Sequence, residues 1–341
     1  MTSTPASLFI RLVMLIALLG VAAALTFGYL GWLHPALDSF SHFRIHLAVL
    51  LLLGVPLLWL MRYRPEAVFA LIFGTAALVQ TTGMPAIQGT SIAGASGHDE
   101  SANAAVYRLL HMNLRFDNES TAAISLIGEL RPDIVTLNEV SRQWKPRLEA
   151  LRASYPYGVM CDSDKNIGGV AILSRRPLAA DVQTTCGDNG SFARAQFDIG
   201  GRIVEIATLH LGWPWPFEQP WQIRRVQPLL EETGTTAIIA GDFNAVPWSN
   251  TARQVESGSR ARLLRGIGPT WLDRRAPDAL RRYMGLPIDN MLAKGGVVPL
   301  HVGTVADSGS DHLPILLEFL LLPQEKPLPV HHAVAMAVPL E

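Results

Sequence analysis

Asp242 and Asn244, in Gly-Asp-Phe-Asn, stand two residues apart just after the apolar run 236–240. A short apolar run bounded by glycine and proline reads as a buried strand, which places the acid and the amide in the loop where the chain surfaces. There a carboxylate accepts a proton or ligates a metal, and an amide supplies both a donor and an acceptor. Asp-x-Asn is also ordinary turn chemistry, so this pair alone leaves a plain turn open. The layout recurs. Asn113 follows the run 106–112, Glu139 follows 134–137, and His210 follows 203–209. Asp289 lies in Pro-Ile-Asp-Asn-Met-Leu, and Asp311 with His312 precedes the run 315–321. Each residue taken singly could be a cap, a turn or an ion-pair partner. Eight of them beside successive apolar runs point to one site, because sheet edges collect the loops that build active sites.

Carboxylates and amides with no thiolate and few imidazoles make a hard, oxygen-rich site that suits Mg²⁺ or Mn²⁺ better than zinc. Such an ion polarises a phosphoryl oxygen and offsets charge building in the transition state. Two histidines, His210 and His312, would add a proton donor and a second positive group near neutral pH. The chemistry this set fits is phosphoester hydrolysis.

The elements that must hold these residues are short strands at 106–112, 134–137, 169–173, 193–197, 203–209, 236–240 and 315–321, with an amphipathic helix over 121–130. Many strands with few intervening helices predict an α/β domain of two packed sheets with helices outside, rather than one doubly wound sheet.

With those motifs in place, the sequence resembles the endonuclease/exonuclease/phosphatase superfamily over roughly 106–321, most specifically in Gly-Asp-Phe-Asn and Ser-Asp-His-Leu-Pro. The resemblance implies a DNase I-like, four-layered α/β sandwich with its site at one edge of the two sheets. It implies Glu139 as principal metal ligand, with Asn113 and Asp311 beside it. It implies that Asp242 and Asn244 orient and activate the attacking water and contact the phosphate. His312, oriented by Asp289, would stabilise the pentacovalent phosphorus centre, and His210 would contact the phosphate or act as general acid. Asn113 and Arg194, the latter in Phe-Ala-Arg-Ala-Gln, are expected to bind substrate. Asn138 stands where many relatives have Gln, and Asn290 where an aromatic is frequent; both departures are expected to bear on substrate.

No part of the first 87 residues belongs to that pattern. The runs 12–33, 45–61 and 67–85 are apolar and nearly free of charge, and a hydrocarbon core of about 30 Å needs ~20 helical residues. They predict three transmembrane helices. Arg11 precedes the first run and Arg62 with Arg64 separates the second from the third, while the first connection holds Asp38, His34 and His42 with Arg44 at its edge. The positive-inside rule then puts the amino terminus in the cytoplasm and everything after the third span outside, making a multi-pass inner-membrane protein with a periplasmic catalytic domain. No acid or base lies centrally in the spans, so a transport pathway has no support. The chain divides into an anchor at 1–87, a Gly/Ser/Ala-rich flexible linker at 88–103, the phosphoesterase domain at 104–322 and an irregular tail at 323–341.

A formal net charge of −1 excludes a global attraction to nucleic acid or acidic lipid and leaves only local patches. Two cysteines, Cys161 and Cys186, are too few for a zinc cluster but could form one bridge in an oxidising compartment. Two stretches could select substrate. Residues 212–221, Gly-Trp-Pro-Trp-Pro-Phe-Glu-Gln-Pro-Trp, could stack on bases, dip into lipid headgroups or pack on the domain itself. Residues 260–282 carry seven arginines, which could grip phosphates or form a solvated helix face. The expected function is metal-dependent hydrolysis of a phosphodiester, in nucleic acid or in a phospholipid headgroup. The alternatives are a phosphomonoesterase and a non-catalytic module that binds a phosphorylated ligand or a protein; no protein partner is otherwise expected.

Overall fold

The computed structural model describes residues 5–83, 105–180 and 184–323. The expected linker, the expected tail and the tail histidines His331 and His332 lie outside the described residues. The chain begins with α1 (Pro5–Tyr29), a short α2 (Pro35–Ser39), a 3₁₀ turn (Phe40–Phe43), α3 (Arg44–Leu60) and α4 (Arg64–Thr82). Leu8–Tyr29, Pro35–Leu60 and Arg64–Thr82 are long and apolar enough to cross a membrane. The first helix ends at Tyr29 rather than near residue 33, because the chain turns there to dock elsewhere. Gly31 in that turn lies against Asp38 so closely that a side chain would collide with it.

The rest of the chain forms two six-stranded mixed sheets, as two-sheet packing requires. In chain order come β1 (Tyr107–Asn113), α5 (Ala122–Leu130), β2 (Ile134–Val140), α6 (Trp144–Glu149), β3 (Tyr157–Cys161) and β4 (Gly169–Ser174). Then follow β5 (Thr185–Gly187), β6 (Phe192–Asp198), β7 (Ile203–Leu209), α7 (Gln219–Glu231), β8 (Ala237–Asp242), α8 (Asn250–Ser259) and β9 (Arg262–Leu263). The last are α9 (Asp278–Met284), β10 (Asp289–Lys294), β11 (Val297–Thr304) and β12 (Ile315–Leu321). The first sheet runs β11-β12-β1-β2-β4-β3 and the second β5-β6-β7-β8-β10-β9. Three apolar layers fill the spaces of a four-layer sandwich. One lies between the sheets (Leu109, Ile206, Phe319), one under α5 and α6 (Leu110, Ile127, Trp144), and one under α7 and α8 (Phe192, Val226, Val255).

Among the described residues two strand pairs are parallel, β1 with β2 and β7 with β8. Each pair is joined through a helix, α5 or α7, which returns the chain to start the second strand from the same end. The carboxyl ends of all four strands therefore meet at one edge. The antiparallel neighbours β10 and β12 begin at that edge, with Asp289 opposite Asp242 and Ile315 opposite His111. This is why residues after some strands and before others converge.

Several expectations need correction. Strand β8 continues through Gly241 and Asp242, since both pair with β10, so Asp242 ends a strand rather than opening a loop. Gly241 is needed there because a side chain would strike the Leu209 carbonyl. Strands β3, β5, β9, β10 and β11 and helices α6 to α9 were not anticipated, and the domain is richer in helix than its apolar runs suggest. Cys161 and Cys186 are joined in a disulfide, Cα atoms 5.5 Å apart, which links edge strand β3 of one sheet to edge strand β5 of the other. Closing a loop of this length constrains the unfolded chain by about 3 kcal/mol. The Cys161→Ser, Cys186→Ser double variant in detergent should therefore unfold several degrees below the wild type by thermal scan, and dithiothreitol should reproduce the loss in the wild type only.

Candidate active site

Strand alternation explains which side chains enter the inter-sheet edge. In β1, Leu109, His111 and Asn113 share one face, and Asn113 is buried there. By the same rule Glu139 would point outward from β2. It does not, because β2 is irregular between Leu137 and Val140 and Glu139 takes a left-handed φ of 58°. Such a conformation costs a non-glycine residue roughly 1–2 kcal/mol, and it turns the carboxylate into the site. Asn244 is also left-handed, with φ 45°.

Asn113 joins the two sheets' acids. Its Nδ2 donates to Glu139 Oε1 at 3.0 Å and to Asp242 Oδ2 at 3.0 Å, while its Oδ1 accepts from the Arg115 amide at 2.9 Å. In this arrangement Asn113 holds the two carboxylates together. Glu139 Oε2 accepts from the Phe116 amide at 2.8 Å. Asp242 Oδ1 accepts from the Asn244 amide at 2.8 Å, and the Asp242 amide donates to Asn138 Oδ1 at 2.7 Å. His210 Nε2 lies 4.0 Å from Glu139 and 3.8 Å from Asp242. Across the site, His312 Nδ1 is 2.7 Å from Asp289 Oδ2 and its Nε2 is 3.7 Å from Asp242. Behind Asp289, His111 Nε2 stands at 3.4 Å and the Thr270 hydroxyl accepts the Asp289 amide.

Burial pushes the Glu139 carboxyl up, against the Asn113 hydrogen bond. Burial and the neighbouring charge of Asp289 push Asp242 up, to about 6. Burial pushes His210 down, which leaves it neutral at pH 7. Burial also opposes charge on His312, but Asp289 and Asp242 outweigh it and hold the imidazolium up to about 10. Asp289 stays below the usual carboxylate range despite its burial, because His312 and His111 face it.

Glu139, His210 and Asp242 offer ligand atoms within 4.8 Å of one another, as do Asp242, Asp289 and His312. In the second group Asp289 and His312 already form a histidine–carboxylate ion pair. The first joins a buried and a partly buried carboxylate with a neutral imidazole, a charge excess that a divalent cation would relieve, so the donor set fits one. Asp311 belongs to neither group. It is half-buried, and its charge is felt at Glu139 and His312.

The structure does not bring Arg194 to the site. Arg194 lies on the helix face of β6, donating to the Leu229 carbonyl and pairing with Glu232 at 3.0 Å, so it closes the carboxyl end of α7 instead of meeting substrate. Asn138 and Asn290 likewise support the scaffold. Asn138 ties the sheets through Asp242 and Thr208, and Asn290 Nδ2 donates to the Ala245 carbonyl. His111 was overlooked, although its place two residues before Asn113 puts it on the same strand face. The arginines of 260–282 do not form one patch. Arg262 lies at the far end of β10, opposite Ala293, whereas Arg274 donates to Gly309 near Asp311. In the stretch 212–221, Trp213, Phe217 and Trp221 are 65%, 58% and 52% exposed, so they do not cover the domain's core.

Residues 110–312, more than half of the chain, match the model of the Endonuclease/Exonuclease/phosphatase family. Among solved structures, the endonuclease/exonuclease/phosphatase from Bacteroides vulgatus is similar with a TM-score of 0.52 at 19% identity, over 64% of this chain and 100% of that one. The protein of the same name from Beutenbergia cavernae DSM 12333 gives 0.50 at 18% identity, over 63% and 72%. D. rerio TDP2 complexed with single strand DNA product gives 0.50 at 19% identity, over 63% and 99%. At these identities the likeness is one of fold. No curated protein sequence matches the chain.

The His312 charge gives the metal-free protein a defined pH dependence. A histidine whose folded value lies above its unfolded one, about 6.5, contributes stability in full below that pH, and the contribution disappears as pH rises through about 10. In EDTA the unfolding midpoint should fall between pH 7 and 10, and His312→Gln should flatten that fall. Equal slopes in the two proteins would contradict it.

Proposed function

The chain belongs to the endonuclease/exonuclease/phosphatase family, and from that premise we propose that it is a membrane-anchored, Mg²⁺-dependent phosphodiesterase, with Mn²⁺ able to substitute. The observation that carries this reading is the convergence of Asn113, Glu139, His210, Asp242, Asp289 and His312 on one buried edge with hydrogen-bonded or ion-pair geometry. Glu139 would hold the ion, with Asp242 closest to it and Asp311 nearby. A bound divalent ion polarises a phosphoryl oxygen and offsets its developing charge. Asp242, raised by burial and by Asp289, is suited to accept a proton from the attacking water, with Asn244 fixed beside it. The His312 imidazolium, held by Asp289, places a positive charge where negative charge builds on the phosphoryl oxygens. Neutral His210 serves as a hydrogen-bond donor to the phosphate.

The membrane reading rests on the three apolar helices. The disulfide and the arginine distribution favour an extracytoplasmic domain. The domain division is the anchor 1–87, linker 88–103, enzyme 104–322 and tail 323–341. For substrate, the exposed aromatics of 213–221 favour a phosphodiester presented at a lipid surface. The DNA product bound by TDP2 on the same fold keeps nucleic acid as the other arm.

Full-length protein with Mg²⁺ should release product from one class among DNA, RNA, phospholipid vesicles and soluble phosphate monoesters. EDTA should abolish turnover, and an Asp242→Ala, His312→Ala variant should lose on the order of 10³-fold or more. No turnover by folded, metal-loaded protein would favour a binding module. If the substrate is lipid, Trp213→Ser with Phe217→Ser should lower turnover on vesicles several-fold and leave detergent-dispersed substrate unaffected.

A further inference from the structure

The connection between the first two apolar helices is buried against the catalytic domain. Asp38 and His42 are only 5% and 6% exposed, although they lie in a segment whose sequence reads as a solvated membrane connection. Asp38 caps α8: its carboxylate accepts the Asn250 amide at 2.7 Å and the Thr251 amide at 3.0 Å. Two backbone donors at a helix start are the groups that helical geometry leaves without partners. Ser249 adds a cap to Ala252 at 3.0 Å, so the connection and the loop share the work of starting one helix. The Ser41 carbonyl accepts the Trp248 indole N–H at 2.7 Å, and the Ser39 hydroxyl donates to the Trp215 carbonyl at 3.0 Å. His42 reaches the site loop itself: Nε2 is 3.1 Å from the Asn244 carbonyl oxygen, and Nδ1 is 3.2 Å from the Ser39 carbonyl oxygen.

Asn244 is held from every other side as well. Its amide donates to Asp242, its Nδ2 donates to the Leu211 carbonyl at 2.8 Å, and its carbonyl also accepts Gln219 Nε2 at 2.8 Å. A residue in the left-handed region persists only where its surroundings over-determine it. One of those determinants comes from the membrane segment. We infer that His42 and Asp38 are positioning residues for the active site, and that the connection 30–43 is a working part of the catalytic domain. The inference rests on the reading of Asn244 as a group that contacts the reacting phosphate. Misplacing such a group by about 1 Å costs up to 10²-fold in rate. The same contact places the connection and the catalytic domain on one side of the membrane, as the order of three spans requires.

The test uses the full chain in nanodiscs with Mg²⁺ and bis(p-nitrophenyl) phosphate, comparing the wild type with His42→Ala, His42→Gln, Asp38→Ala and Asp242→Ala. Hydrogen exchange of the amides of residues 249–252 is followed in each. The expected result is a kcat about 10-fold lower in His42→Ala with KM changed less than twofold, substantial recovery in His42→Gln, whose amide can donate to the Asn244 carbonyl, and faster exchange at Asn250 and Thr251 in Asp38→Ala. Wild-type kcat in His42→Ala, or equal losses in His42→Ala and His42→Gln, would overturn the role of His42. Unchanged exchange in Asp38→Ala would overturn the docking. Activity lost in Asp242→Ala but kept in His42→Ala would leave the proposed function standing and the positioning role refuted. Absence of metal-dependent turnover in the wild type would refute the function, with exchange still deciding the docking.

Discussion

Placing two carboxylates from different sheets side by side, one buried and one partly so, is the constraint from which the architecture of the site follows. Glu139 and Asp242 would repel if nothing stood between them. The Asn113 amide does, donating to both at 3.0 Å. Beside that amide Asn138 also crosses the sheet boundary, reaching from β2 to Asp242 and Thr208. The apolar layer between the sheets ends at this edge, and the polar network takes over as the material joining them. Removing one member would leave a buried charge without its partner, which is far more costly than any single hydrogen bond is stabilising. A divalent cation would add to this scheme the positive charge that the amide cannot supply.

The same edge separates two electrostatic roles among chemically similar residues. Asp242 and Asp289 lie opposite each other on adjacent strands, yet burial and repulsion raise one while facing histidines lower the other. His210 and His312 divide in the same way, one driven neutral and one held charged. Pairs of titratable groups pushed apart by their surroundings are the signature of assigned acid and base roles. Here the assignment follows from register alone, since shifting β10 by one residue against β8 would turn Asp289 to the other face.

Much of this was legible in the chain. Strands β1, β7 and β12 stand out as runs rich in apolar residues, and the polar residues beside them identify the edge. The two-sheet packing follows from the number of such runs. What escaped detection has physical reasons. Edge strands β3, β5 and β9 are short and partly exposed, so they lack the apolar excess that marks a core strand. The inward turn of Glu139 depends on a local irregularity that alternation does not foresee. Arg194 could not be separated from a substrate ligand by residue type, because only the fold shows α7 ending beside it. Nothing near Asp38 or His42 announces their partners, which lie more than 200 positions further along.

That separation along the chain has a consequence for biogenesis. With the three helices spanning a membrane as proposed, the connection between α1 and α3 would be synthesised, and its flanking helices inserted, well before the segment 242–251 leaves the ribosome. Until then the Asp38 carboxylate would face water, and it would cap α8 only once the later domain had reached the same side and folded. A copy whose domain stayed on the opposite face would fold its sheets but leave the Asn244 loop without one of its supports. On that topology the docking would link the completeness of the site to correct insertion of the anchor.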